Sequence, residues 1–81
     1  MQCFIYRSSK KTDAYLYLSD EDRLNRLPDG LNKLLGHLEF VMQLDLEKIN
    51  RLANADLEEV KLNLNDVGFY LQLPRELHVT V

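Results

Sequence analysis

The stretch NADLEEVKLNLNDVGFYLQLP, residues 54–74, decides the fold because it predicts a helix that leads directly into a strand. Asn54 and Asp56 are both residue types that cap a helix N-terminus with a side-chain oxygen. The apolar residues that follow recur at the spacing of one helix face, namely Leu57, Val60, Leu64 and Val67. Gly68 suits the left-handed position after a helix, and the apolar run FYLQL after it predicts the final strand. We therefore expect a helix over residues 54–67.

Two apolar segments near the start of the chain predict a β-hairpin. Residues 2–7 and 14–18 are rich in aromatic and aliphatic side chains, and the polar residues 8–13 connect them. Such a composition is typical of two neighbouring strands joined by an exposed loop.

We expect this hairpin to pair Tyr6 with Tyr15 and Phe4 with Tyr17, which places the aromatic rings on one face of the sheet. The remaining apolar side chains then share the other face: Cys3, Ile5, Leu16 and Leu18. A slip of one residue would mix the two sets. Because both faces are apolar, the sheet should be covered on both sides.

Two short helices are predicted next. Ser19 can cap the first, the acids that follow it suit the positive end of a helix dipole, and this helix should end by Leu27. Pro28 and Asp29 suit the start of a second helix, and Gly36 is well placed to end it.

The alternation in residues 38–44 predicts a third strand, with one face formed by Leu38, Phe40, Met42 and Leu44. Residues 45–53 carry no cap or glycine, and we expect an irregular segment with a short helix. The predicted order is thus β-β-α-α-β-α-β. It corresponds to a single α/β domain with a mixed or antiparallel sheet of about four strands.

Composition and charge narrow the classes of function. The chain has 81 residues, 10 basic and 13 acidic, for a net charge of −3, which disfavours nonspecific attraction to nucleic acid or an anionic membrane. The one cysteine, Cys3, allows no internal disulfide and favours a reducing compartment. Apolar runs are too short for a signal peptide or a membrane span. We therefore expect a cytoplasmic protein that does not act at membranes.

Four segments together resemble the YcgL-domain family of small bacterial proteins: CFIYRSSK at 3–10, YLY at 15–17, NADLEEVK at 54–61 and GFYLQLP at 68–74. The resemblance implies an α/β/α sandwich with helices on both faces of the sheet, and a cytoplasmic, gammaproteobacterial source. It supplies no catalytic or binding residues, because none is established for the family. Many members continue past the last strand into a polar tail. We therefore treat residues 1–81 as one YcgL-like domain, in which residues 74–81 form either a loose tail or a short edge strand.

No residue type that carries chemistry occurs here in a catalytic or metal-binding pattern. Cys3 lies inside an apolar strand, where a cysteine usually acts as a small apolar side chain. His37 and His78 stand at no ligand spacing, and the acids at 20–22 are explained by the helix dipole. Neither a GxSxG frame nor a glycine-rich phosphate loop occurs. We predict no catalytic, cofactor-binding or metal-binding residues.

The hairpin carries the candidate recognition surface, formed by Tyr6, Arg7, Lys10, Lys11, Tyr15 and Tyr17. Tyr70 can join it from the last strand. Tyrosine offers apolar area, a π-face and one hydroxyl group, and basic neighbours add charge, so such a set can bind a protein or stack RNA bases. The alternative interpretation is structural, with the rings packed under a helix and the lysines at a solvated loop tip.

The best functional interpretation is a non-catalytic protein-binding or adaptor module that uses this hairpin. An RNA-binding accessory protein is the alternative, favoured by the interleaved aromatic and basic residues but disfavoured by the net negative charge. A small enzyme of unknown reaction is a third hypothesis.

Overall fold

The computed structural model describes residues 1–52 and 55–73, and the elements in these residues follow the predicted order. They are β1 (Gln2–Ser8), β2 (Tyr15–Leu18), a 3₁₀ helix (Glu21–Arg26), α1 (Asp29–Leu35), β3 (Leu38–Asp45), α2 (Leu57–Asp66) and β4 (Phe69–Gln72). The strands form a sheet in the order β3-β1-β2-β4 with antiparallel neighbours, so the α/β class and the antiparallel alternative are confirmed. The expectations for Asn54 and for residues 74–81 lie outside the described residues.

Helix α2 has the predicted cap and stop. The Asp56 carboxylate accepts hydrogen bonds from the amides of Glu58 and Glu59, at 2.9 and 3.3 Å. Gly68 has a φ of 88°, which confirms the left-handed residue after the helix. Its amide donates to the Asn63 carbonyl at 3.1 Å, so the chain leaves the helix at once and β4 begins at the next residue.

The buried side chains form two clusters. The α2 cluster consists of Cys3, Ile5, Tyr17, Leu46, Val60 and Leu64. The α1 cluster consists of Tyr6, Ala14, Leu16, Leu18, Leu27 and Leu35. Side chains alternate along β1 and β2, so the two clusters lie on opposite faces of the sheet.

The register predicted for the hairpin is wrong by one residue. Arg7, not Tyr6, lies opposite Tyr15, and Ile5 lies opposite Tyr17. The tyrosines are therefore divided between the faces, with Tyr6 in the α1 cluster and Tyr17 in the α2 cluster. The loop sets this register, because the Ser8 amide donates to the Ala14 carbonyl at 3.0 Å, and the Ala14 amide to the Lys11 carbonyl at 3.2 Å.

The prediction that four apolar residues of β3 share one face is also wrong. The pairing of β1 with β3 shifts between Ile5 and Tyr6, which lie opposite Met42 and Phe40 and leave Val41 as the extra residue of a β-bulge. The bulge reverses the alternation. Accordingly, the two ends of the strand pack in different clusters, Leu38 with the α1 cluster and Leu44 with the α2 cluster.

The short helix expected in residues 45–53 is not found in the described part of that segment, which forms turns and bends after β3. The Asp45 carboxylate accepts a hydrogen bond from the Glu47 amide at 3.0 Å, and the Leu46 amide donates to the Met1 carbonyl at 2.8 Å. These bonds turn the chain so that Leu46 is fully buried in the α2 cluster. Side-chain bonding to the local backbone competes here with helix formation.

Candidate functional site

The loop end of the β1–β2 hairpin brings together four of the six candidate residues: Arg7, Lys10, Lys11 and Tyr15. We call these four the hairpin end. Arg7 and Tyr15 lie side by side as the last paired residues before the loop, and the lysines lie within the loop. Arg7 and Lys10 are exposed, whereas Lys11 and Tyr15 are partly buried, so all four side chains have atoms at the surface.

The other two candidates, Tyr6 and Tyr17, are each only 6% exposed. The Tyr6 ring meets the edge of Phe40 at a centroid distance of 5.6 Å, and the Tyr17 ring meets Tyr70 at 5.8 Å. The Tyr17 hydroxyl donates to the Gln72 side-chain oxygen at 2.6 Å, and burial raises the pKa of Tyr17 to about 12. These two rings therefore support the sheet from its two faces and present no open π-face.

Ser8 anchors the loop to the C-terminal end of α1. Its buried hydroxyl group donates to the Leu35 carbonyl at 2.6 Å and accepts from the amides of Lys10 and Lys11, at 3.2 and 2.9 Å. The hydroxyl group thus fixes the backbone of the two lysines against the helix. The sequence assigned Ser8 only to a polar connection, because its bonding partner lies 27 residues away.

Replacing Ser8 with Ala should lower the free energy of unfolding by about 1 kcal/mol, since the Leu35 carbonyl loses a donor while water can reach the loop amides. Amide exchange at Lys10 and Lys11 should become faster. Urea denaturation and hydrogen exchange measure the two effects. Ser9→Ala, at the exposed neighbour, is the matched control, and equal effects in both variants would contradict the anchoring role.

Two of the three basic side chains at the hairpin end already have partners within the chain. The Arg7 guanidinium donates to the Glu39 carboxylate at 2.7 Å, and both side chains are exposed. The Lys10 ammonium group donates to the Lys33 carbonyl at 3.1 Å, in the last turn of α1, where the helix dipole favours positive charge. The ammonium group of Lys11 makes no hydrogen bond or ion pair to any residue that the structure describes.

The structure adds residues to this end that the sequence did not indicate. Lys33 reaches it through its contact with Lys10, and the Ser9 amide donates to the His37 carbonyl at 3.0 Å. The approach is close, because a Cβ atom added at Gly36 would lie 3.0 Å from the Lys10 Cβ. The one signal in the sequence is Gly36 itself, which ends α1 and allows this contact.

An exposed apolar strip lies beside the hairpin end. Phe40, Val41 and Met42 are 53%, 43% and 45% exposed, and we call these three residues the β3 strip. Two contacts join it to the hairpin, the ring contact between Tyr6 and Phe40 and the neighbouring ion pair of Arg7 with Glu39. Its prediction required the bulge and the place of β3 at the edge of the sheet, neither of which is a local property of the sequence.

The one cysteine does not form a reactive site. Cys3 is fully buried, and burial raises the pKa of its thiol to about 11, so the thiol stays protonated near neutral pH. Among the residues described, no group of three or more His, Cys, Asp or Glu could hold a metal ion. In the same residues, no helix has the length and apolar character that crossing a membrane requires.

Comparison with known proteins identifies the family. The family model for the YcgL domain matches residues 3–75. The chain belongs to the YcgL-domain family. The YcgL domain-containing protein of Proteus mirabilis is 50% identical over 74 residues, which are 91% of this chain and 76% of that protein. A YcgL domain-containing protein of Pectobacterium carotovorum is 47% identical and covered to 87%, and protein YcgL of Salmonella typhi is 47% identical and covered to 67%, each over 91% of this chain.

Proposed function

We propose that this chain is a non-catalytic module that binds a protein partner through its hairpin end. The observation that carries the proposal is the β3 strip, three consecutive apolar side chains that are about half exposed beside that end. Contiguous exposed apolar side chains are typical of protein interaction sites. Polar and charged groups surround this strip on the hairpin side, as they surround the apolar centre of a protein interface.

The six candidate residues have different parts in this proposal. Arg7, Lys11 and Tyr15 make the contacts, because their side chains reach the surface. Tyr15 is the anchor, since a partly buried tyrosine is already held by its neighbours and loses little freedom on binding. The supporting residues are Lys10, Tyr6 and Tyr17.

Affinity capture with the full chain as bait, from the lysate of a bacterium that encodes it, tests this proposal. We expect a protein that is retained after nuclease treatment and whose affinity falls at least about tenfold with Tyr15→Ala, as for an interface anchor. Lys11→Ala should weaken binding less, and Lys48→Ala is the matched control, because Lys48 follows β3 at the opposite end of β1. A partner whose affinity does not change in either hairpin variant would contradict the assigned surface.

RNA is the second candidate ligand, and the observation that favours it is the presence of Lys33 and His37 beside the hairpin end. Together with Lys11 they add positive or ionisable groups at one end of an otherwise acidic chain. The ion pair of Arg7 and the helix contact of Lys10 favour the protein ligand instead. An RNA complex would lose its retention on nuclease treatment, and Lys11→Ala would reduce the log–log salt slope by about 0.7.

The finer architecture and location belong to the same proposal. We infer an α/β/α sandwich within a single domain, 1–81, which the presence of α2 residues in one core cluster and α1 residues in the other supports. The cytoplasm is the compartment we propose, because the one cysteine, Cys3, is a buried free thiol.

A further inference from the structure

We propose that the outer edge of β3 binds an extended segment of the partner protein, which joins the sheet as an added antiparallel strand. This inference rests on the proposed function and states how the partner is held. In strand addition, backbone hydrogen bonds supply affinity, and the side chains along the edge supply specificity.

The edge is available and apolar. β3 pairs with β1 on one side only, and none of the described strands lies on its other side. Alternate backbone groups of an edge strand point away from the sheet and are free to pair with another chain. The β3 strip lies in the middle of this edge, with Phe40 beside Tyr6 on the α1 face and Met42 opposite Ile5 on the α2 face. A bound strand would cover both side chains.

The size of the patch favours a strand over a globular surface. β3 has eight residues, so a strand along its full length would extend about 26 Å. A stable interface between two globular surfaces buries about 800 Å² on each partner, whereas three half-exposed side chains offer a fraction of that area. Backbone pairing supplies the additional binding energy that such a narrow strip lacks. The other described strand pairs are all antiparallel, and an antiparallel addition continues that pattern.

The bulge disfavours a second copy of the chain as the occupant. A two-fold axis through Val41 would set Phe40 opposite Met42 of the second copy, yet these side chains point to opposite faces of the sheet. A shift of one residue restores the faces but sets Phe40 opposite the polar Gln43. A segment of different sequence avoids both conflicts.

Charge along the edge defines the chemistry of that segment. Near the start of β3, the Lys33 backbone holds the Lys10 ammonium group, so two lysines lie close together. Beyond the end of β3, Asp45 and Glu47 share the one N-terminal ammonium group, at 3.6 and 3.5 Å, which leaves excess negative charge. The segment that fits is apolar in the middle, basic at its N-terminal end and acidic at its C-terminal end.

A capped peptide, KTVTVTE, is the probe, and its binding to the full chain is followed by amide chemical shifts and hydrogen exchange. We expect saturable binding at or below about 1 mM, with shifts confined to β3 and its neighbour β1 and with new protection of outward β3 amides. The charge-exchanged peptide, ETVTVTK, should bind several-fold more weakly. Val41→Lys should weaken binding at least about tenfold, because a lysine blocks an edge strand, whereas Leu62→Lys, at an exposed residue of α2, should not.

Peptides methylated on the backbone nitrogen test the mode of binding on the unmodified protein. Methylation of the three Thr nitrogens or of the three Val nitrogens should abolish binding in one series and spare it in the other, since only alternate amides face β3. Equal binding of both series, shifts outside β3 and β1, no binding at millimolar peptide, or protection of outward β3 amides in the free protein would each overturn the inference. A Tyr15-dependent partner without peptide binding would overturn this inference alone, and peptide binding without any captured protein would overturn only the proposed function.

Discussion

Leu64→Ala should lower the free energy of unfolding by about 2–5 kcal/mol, the largest effect expected for a single substitution in this chain. Leu64 is 3% exposed and packs in the α2 cluster with Val60 and Tyr17. Truncation removes apolar burial and leaves a cavity, because helix and sheet can close only part of the gap. Urea denaturation followed by circular dichroism measures the change.

The same helix supplies a matched control. Leu62 is 68% exposed, so Leu62→Ala should change the stability by less than about 0.5 kcal/mol. Leu64→Met keeps the side-chain volume and should cost less than about 1.5 kcal/mol, which separates cavity formation from loss of the particular residue. Equal stability of Leu64→Ala and Leu62→Ala would show that α2 buries a different face.

The margin for such a loss is small. Proteins are typically stable by roughly 0.05–0.15 kcal/mol per residue, which for 81 residues is about 4–12 kcal/mol. A cavity at Leu64 therefore removes a large part of the total. The two clusters also depend on each other, since both pack against the same four strands.

Local signals predicted the second half of the fold well. The cap at Asp56, the apolar spacing of α2 and the left-handed Gly68 each depend on residues within a few positions of one another. The strand after Gly68 followed because no residues remain for a loop. The order of the elements was predictable for the same reason, since each start and stop has its own residue signal.

Nonlocal contacts limited the rest of the prediction. The hairpin register depends on the loop bond between Ser8 and Ala14 and on the Ser8 hydroxyl group at the end of α1, and neither is visible in strand alternation. The bulge at Val41 arises only when β1 and β3 meet. The same limit applies to the candidate site, where the sequence indicated the hairpin residues but not Lys33, 23 positions from its contact at Lys10.

Gly68→Ala should lower the free energy of unfolding by about 1–2 kcal/mol, because its φ of 88° lies in the left-handed region that a Cβ atom disfavours. There is a second, smaller effect. The added Cβ would lie 2.4 Å from the Cζ atom of Arg23, whose guanidinium donates to the Val67 carbonyl at 3.4 Å. Arg23 is exposed, so its guanidinium can move away and lose only this long hydrogen bond. Thermal or urea denaturation measures the sum.

A double-mutant cycle separates the two effects. If backbone conformation dominates, Gly68→Ala should cost nearly as much in an Arg23→Ala background as in the parent, and Gly68→Asn should cost less, because asparagine tolerates the left-handed region better than alanine does. Gly30→Ala is the matched control, since an added Cβ there meets nothing within 4 Å and its φ is not positive. If Arg23→Ala instead cancels most of the loss, contact with the guanidinium, not the turn, would be the reason that this position requires glycine.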